Sequence, residues 1–112
     1  MGRAFFGQQK WDKAELCFRQ AVRLDSKHAD WYNFLGNTFY SRQRWKEAID
    51  EYRQAVRIDP NASWAHGNLA VALRKLRRWP EAEAEAREAI RLDPTNSQYK
   101  ENLRRILDKD FQ

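Results

Sequence analysis

Residues 29–62 read ADWYNFLGNTFYSRQRWKEAIDEYRQAVRIDPNA, and residues 63–96 carry the same pattern at a step of 34. Trp11, Trp45 and Trp79 fall on that step, as do Ala14, Ala48 and Ala82. Ala21, Ala55 and Ala89 keep it, with Leu24, Ile58 and Leu92 and with Asp25, Asp59 and Asp93. A fixed period of this size marks a solenoid, in which each copy is a supersecondary unit that buries its apolar face only when a neighbour stacks on it. The product is an extended curved surface rather than a closed globule.

Within each copy the apolar spacing is helical. Tyr32, Leu35 and Phe39 recur at three and four residues, the spacing of one helix face. After a break near Gln43 and Arg44 a second run goes through Trp45, Ala48, Ile49, Tyr52, Ala55 and Val56. Pro60 lacks an amide hydrogen and disfavours a helical residue before it, so that helix stops by about Asp59. Pro80 suits a first helical turn and Pro94 closes the next copy. The spacing predicts helices over 3–8, 12–25, 29–42, 46–59, 63–76, 80–92 and 97–108, with capping boxes at Asp12/Glu15 and Thr95/Gln98, and no strands. Short connections make consecutive helices antiparallel hairpins. Residues 1–28 read as a truncated repeat, 29–62 and 63–96 as complete ones, and 97–112 as a capping helix, all in one domain.

Composition sets bounds on the class of protein. No apolar run approaches the ~20 residues of a bilayer span, and the N-terminus lacks the apolar centre of a signal peptide. The single cysteine, Cys17, forms no internal disulfide and fits a reducing compartment, with the cytoplasm as the expected location. The net charge of +5 is unevenly spread, with Arg42, Arg44, Lys46, Arg74, Lys75, Arg77 and Arg78 gathered around the recurring tryptophans.

These residues resemble the tetratricopeptide repeat, whose signature runs W-x₂-L-G-x₂-Y, then A-x₃-F, then P. Tyr32, Leu35, Gly36, Phe39, Ala48, Tyr52 and Pro60 match it in the middle copy. His66, Leu69, Ala70, Leu73, Ala82, Ala86 and Pro94 follow more loosely, and Gly2, Phe5, Ala14 and Phe18 represent the incomplete first copy. The resemblance implies an all-α fold, a right-handed superhelical solenoid of antiparallel helix pairs with about three units and a C-terminal capping helix. Ala14, Ala48 and Ala82 then stand where the paired helix passes close by. Gln9, Gln43 and Arg77 occupy the inter-helix position where many members have glycine, so they either adopt a left-handed conformation or the turn differs.

The same resemblance places the first helix of each unit on a concave face. The implied ligand-binding groove holds Asn33, Phe34, Asn37, Tyr40, Trp64, Asn68, Arg74, Asn102 and Arg105, with Arg3 and Phe6 toward the N-terminus. Asparagine offers a donor and an acceptor that match a peptide backbone, and aromatic residues supply contact area at low entropy cost. Trp64 reads either as an aromatic anchor there or as packing on the preceding helix pair. Trp11, Trp45 and Trp79 read as core. Asn68 and Asn102, one period apart, resemble the asparagine ladder of longer arrays, interrupted by Phe34. Members that bind acidic chaperone tails use two lysines, two asparagines and an arginine; here Asn37 and Asn68 are kept, but Asn33, Gln98 and Asn102 replace the cations, which argues against that ligand.

Arg19, Arg53 and Arg87, with Arg23, Arg57 and Arg91, form a convex stripe that reads as a solvated, partly paired face rather than an anion-binding surface, with Glu15 and Glu83 at pairing distance, four residues before Arg19 and Arg87. His28 and His66 have no partner at metal-ligand spacing, and neither a phosphate loop nor a nucleophile with its base is present. The chain therefore reads as a binding protein without cofactor or metal, not an enzyme. Its expected partner is a peptide or protein in the groove. The alternatives are an anion-binding surface for nucleic acid or acidic lipid, built from Arg42, Arg44, Arg74, Arg77 and Arg78, and a fragment of a longer array that self-associates as a homo-oligomer through its incomplete first repeat.

Overall fold

The apolar periods become six helices in the computed structural model, which describes residues 2–109, with side chains from Lys10 onward. They are α1 (Gly2–Leu24), α2 (Ala29–Ser41), α3 (Trp45–Ile58), α4 (Ser63–Lys75), α5 (Trp79–Leu92) and α6 (Ser97–Leu107). No strand occurs among the described residues. α2 packs on α3 and α4 on α5 as hairpins, and α1·α2, α3·α4 and α5·α6 contacts join them into one array. The molecule measures 38 × 36 × 22 Å, an all-α solenoid of about three units.

Close approach within each hairpin comes from missing side-chain volume. Ala48 and Ala82, the periodic alanines, are wholly buried, and so are Ala55 and Ala89. Around them Leu35, Phe39, Ile49, Tyr52, Leu69, Leu73 and Ile106 form a core continuous from α2 to α6. A second cluster, of Ala29, Ala55, Ala62 and Ala65, receives Tyr32, Ile58 and Trp64. Gly36 is required by contact: a Cβ there would lie 2.6 Å from Cε1 of Tyr52. Gly67 meets the same constraint in the next layer, where a Cβ would lie 2.5 Å from Cε1 of Tyr99.

The turns inside the hairpins are left-handed. Gln43 has φ 61° and Arg77 has φ 59°. Arg44 N donates to Phe39 O at 2.9 Å and Gln43 N to Tyr40 O at 2.9 Å, and the pair recurs as Arg78 N to Leu73 O at 3.0 Å and Arg77 N to Arg74 O at 2.9 Å. This is the Schellman closure of a helix C-terminus, which favours glycine at the left-handed residue. Here two residues with side chains occupy it.

Three expectations change. Residues 3–8 and 12–25 are not two helices but one, α1, running straight through Gln9, so the first unit supplies a single helix. Folding back at Gln9 would put a side-chain-bearing residue in the left-handed region, a cost of ~1–2 kcal/mol that a two-turn helix has little packing to offset. Asp12 consequently lies inside a helix and caps nothing. At α6 the cap is Asn96, whose side chain accepts from Gln98 N and Tyr99 N, while Thr95 Oγ1 donates to Asp93 Oδ1. Trp11, Trp45 and Trp79 are only half-buried. Trp45 and Trp79 start the second helix of their pairs at the mouth of the interface, where Trp45 meets Tyr40 edge-on at 4.9 Å and Trp79 packs on the main core; Trp11 lies inside α1.

Gly36→Ala should destabilise the fold by about 1–3 kcal/mol, because the Tyr52 ring is itself buried and has nowhere to retreat. Gln43→Gly should stabilise it by about 0.5–1 kcal/mol, the left-handed strain relieved less the added entropy of the unfolded chain. Urea midpoints of the two variants against the parent check both signs.

Candidate functional site

α2, α4 and α6 together line a trough of two adjoining depressions with Val71 as a common wall. The first, about 190 Å³, lies between α2 and α4 and is lined by Asn37, Tyr40, Tyr52, Asn68 and Val71. The second, about 510 Å³, lies between α4 and α6 and is lined by Val71, Arg74, Ser97, Gln98, Glu101, Asn102 and Arg105. Helical spacing explains the assembly. Asn37 and Tyr40, Asn68, Val71 and Arg74, and Asn102 and Arg105 are each three or so residues apart, so every helix shows the trough one ridge.

The polar groups are tied to one another. Tyr52 Oη donates to Asn37 Oδ1 at 2.6 Å, Asn68 Nδ2 donates to Asn33 Oδ1 at 2.6 Å, and Arg74 Nε donates to Asn102 Oδ1 at 2.8 Å. Each bond uses half of an amide. These bonds leave the NH₂ groups of Asn33, Asn37 and Asn102 and the carbonyl of Asn68, and of these residues Asn37 and Asn68 line the first depression. Asn68 and Asn102 therefore do not form a ladder of equivalent side chains: Asn68 bridges back to α2, whereas Asn102 is 8% exposed and holds an arginine.

Burial and charge shape the ionisable groups. Burial raises the Tyr52 phenol well above its ordinary value, with Tyr40 adding to it. Burial also raises Tyr40, against the pull of the Arg74 cation. Arg74 itself is lowered, first by burial and then by the field of Arg105, with Tyr40 acting oppositely. Glu101 is held down to about 2 by hydrogen bonds from Arg104 and Arg105. Phe34 and Trp64 stand apart from the depressions. Phe34, 41% exposed, packs on Phe18 at 5.6 Å and Trp31 at 5.9 Å toward α1. Trp64 packs into the alanine cluster between α2, α3 and α4, the second of its two expected roles. Arg3 and Phe6 lie outside the residues whose side chains are described.

Tyr52, Ser97 and Glu101 line the trough without having been expected there. Tyr52 reads as core, and its ring is; only its hydroxyl reaches the surface. Glu101 had one legible sign, its spacing of three and four residues from Arg104 and Arg105.

The arginines of the inter-helix turns are engaged in ion pairs. Arg42 pairs with Asp12 at 3.0 Å and Glu15 at 3.2 Å, and Arg44 with Glu15 at 3.2 Å and Glu47 at 2.6 Å. Arg78 pairs with Glu81 at 2.8 Å. These contacts reduce the positive field expected of an anion-binding surface. On the convex side Arg19 and Arg87 meet Glu15 and Glu83 as their spacing indicated, each at 3.0 Å. His66 is buried, with Nδ1 2.6 Å from Glu85 Oε2 and Nε2 2.8 Å from Pro60 O, which ties α4 to α5 and to the preceding turn. Among the described residues no group of three His, Cys, Asp or Glu side chains is placed to hold a metal, and no helix is long and apolar enough to cross a membrane.

Two Tetratricopeptide repeat profiles match the sequence, one over residues 1–63 and one over residues 39–106. Among solved structures, the chain is similar to the first TPR domain of Spaghetti (RPAP3) bound to the HSP90 peptide SRMEEVD. The TM-score is 0.87 at 20% identity, covering 99% of this chain and 88% of that one. The TPR domain of Arabidopsis OM64 gives a TM-score of 0.82 at 27% identity, with 94% and 87% covered. The second TPR domain of human RPAP3, in complex with the HSP70 peptide SGPTIEEVD, gives 0.83 at 25% identity, with 94% and 88% covered. No curated protein matches the chain.

Removing the acceptor exchanges the Tyr52 hydroxyl's bond for one to water, so Asn37→Ala should destabilise the protein by about 0.5–1.5 kcal/mol. Tyr52→Phe on the Asn37→Ala background should then add less than it does alone. A double-mutant cycle in urea measures that coupling.

Proposed function

The chain belongs to the tetratricopeptide repeat family, and on that premise we propose that it is a protein-interaction scaffold holding an extended peptide, or an extended segment of a partner protein, in the trough of α2, α4 and α6. One observation carries the reading: two depressions share the Val71 wall and present amide groups and the Tyr40 ring along one continuous path. An extended backbone has its own donors and acceptors at short intervals. The Asn37 NH₂ and the Asn68 carbonyl match one of each, and Tyr40 and Val71 give apolar contact beside them. Two similar domains carry chaperone peptides, one from HSP90 and one from HSP70, which supports a peptide as the class of ligand.

The family resemblance argues against one class of peptide. Asn33, Gln98 and Asn102 stand where the chaperone-tail clamp has cations, and Asn33 and Asn102 are already bonded to Asn68 and Arg74. The trough keeps the backbone-matching asparagines of that clamp and not its charge, so its partner differs from a chaperone tail. Nothing in this reading calls for catalysis; the work is binding.

Display selection of peptides on the full chain supplies a ligand for the test. Asn68→Ala and Tyr40→Ala should each weaken its binding about tenfold, ~1.4 kcal/mol, in isothermal titration. Trp64→Ala, which touches the alanine cluster and not the trough, should leave affinity within twofold in whatever fraction remains folded. Undiminished affinity in Asn68→Ala and Tyr40→Ala, with helicity intact by circular dichroism, would place the binding surface elsewhere.

A further inference from the structure

We infer that His66 and Glu85 form a proton-dependent latch between α4 and α5, closed while the imidazole carries both of its N–H protons and opened on the Glu85 side when one of them is lost.

What the ring touches sets its proton count. His66 is 7% exposed. Its Nε2 lies 2.8 Å from the carbonyl oxygen of Pro60, and its Nδ1 lies 2.6 Å from Oε2 of Glu85. A backbone carbonyl only accepts, and so does a carboxylate, so each ring nitrogen has to donate. A neutral imidazole has a single N–H. The imidazolium has two, and it satisfies both contacts with Glu85 ionised. Glu85 keeps its charge because its side chain is 28% exposed and stays in reach of water, whereas the His66 side chain is 9% exposed. Glu88, also on α5, acts on the ring as well. Its carboxyl is held below the usual range first by a hydrogen bond from Arg91, then by the Arg91 charge and by the positive field of His66. The preceding turn contributes the Pro60 carbonyl, and among the described residues no other ionisable side chain is bonded or ion-paired to the ring.

Loss of one proton leaves a single N–H between two acceptors, and one contact becomes lone pair against lone pair. The Pro60 carbonyl is fixed in the backbone of the turn. Glu85, by contrast, can rotate its carboxylate into water. The remaining N–H therefore stays on Nε2, and Glu85 lets go. α4 carries Asn68, Val71 and Arg74 of the trough, so the latch sets how firmly that wall is held to α5. The device is confined to one unit: a period earlier Tyr32 and Glu51 stand at these two positions, and a period later Lys100 replaces the histidine.

An unfolded histidine gives up its proton near pH ~6.5. Below that pH the folded and unfolded chains both carry the charge, and the latch contributes in full. Above it the unfolded chain is already neutral, so the contribution fades as the pH rises and is gone once the folded ring has lost its proton.

Urea unfolding of the full chain and of Glu85→Gln, at about pH 6 and about pH 8.5, tests the latch. A glutamine amide accepts from a charged ring and donates to a neutral one, so this variant keeps the tie at either pH. His28 and Cys17, which titrate in the same range, are present in both chains and cancel in the comparison. The unfolding constant of the parent relative to Glu85→Gln should rise about tenfold between the two conditions. Nitrogen NMR of the parent should show protons on both ring nitrogens of His66 at the lower pH and on Nε2 alone at the higher. A ratio that stays level or falls, a His66 ring with the same proton count at both pH values, or a ring that loses its Nε2 proton first would each overturn the latch.

Discussion

Everything in this fold depends on how closely the two helices of a hairpin approach. Ala48 and Ala82 leave only a methyl group at the crossing, and Gly36 leaves nothing beneath the Tyr52 ring. That proximity makes each hairpin a thin plate with apolar residues on both sides. Such a plate must stack on another. A core running from Leu35 to Ile106 without interruption is the consequence, and so is the trough, since plates stacked in register with a small rotation leave the first helices on the inner side.

The ends of the array are handled differently. At the C-terminus α6 buries Asn102 and Ile106 against the preceding layer and turns Arg104 and Leu107 outward. Arg104 stands one period after Ala70 and two after Gly36, the positions that elsewhere stay small so that a partner helix can come close. The arginine there is exposed and pairs with Glu101 on its own helix. At the other end α1 remains a single helix and is fastened by charge as well as packing. Glu15, from α1, receives both Arg42 and Arg44 from the turn after α2. Leu16 and Leu24 stay exposed on α1, with no helix of the described residues covering them.

The trough shows how a polar surface can be both structural and available. Its asparagines hold Tyr52, Arg74 and each other, which fixes their orientation before any ligand arrives, and each bond engages one side of an amide. Preorganisation of this kind lowers the ordering cost of binding. It also means that the charge in the groove is local. Arg74 and Arg105 face one cavity, while the turn arginines, which look alike in sequence, are paired with Asp12, Glu15, Glu47 and Glu81.

The period of 34, the crossing alanines and the prolines after each second helix were sufficient to determine the all-α array and five of its six helices, because each reports on contacts inside one unit or between adjacent ones. The site was half legible for the same reason. Asn37, Asn68 and Arg74 could be placed on the inner face by helical phase, but whether an amide points to a ligand or to Asn33 depends on a residue 35 positions away. Tertiary structure alone decided that α1 runs unbroken through Gln9, that Trp64 packs among alanines, and that Arg42 and Arg44 direct their charge to Glu15. Local spacing fixes which face of a helix a residue occupies. Which neighbour it meets across that face depends on the distance and angle between helices, and those are set only when the layers close on one another.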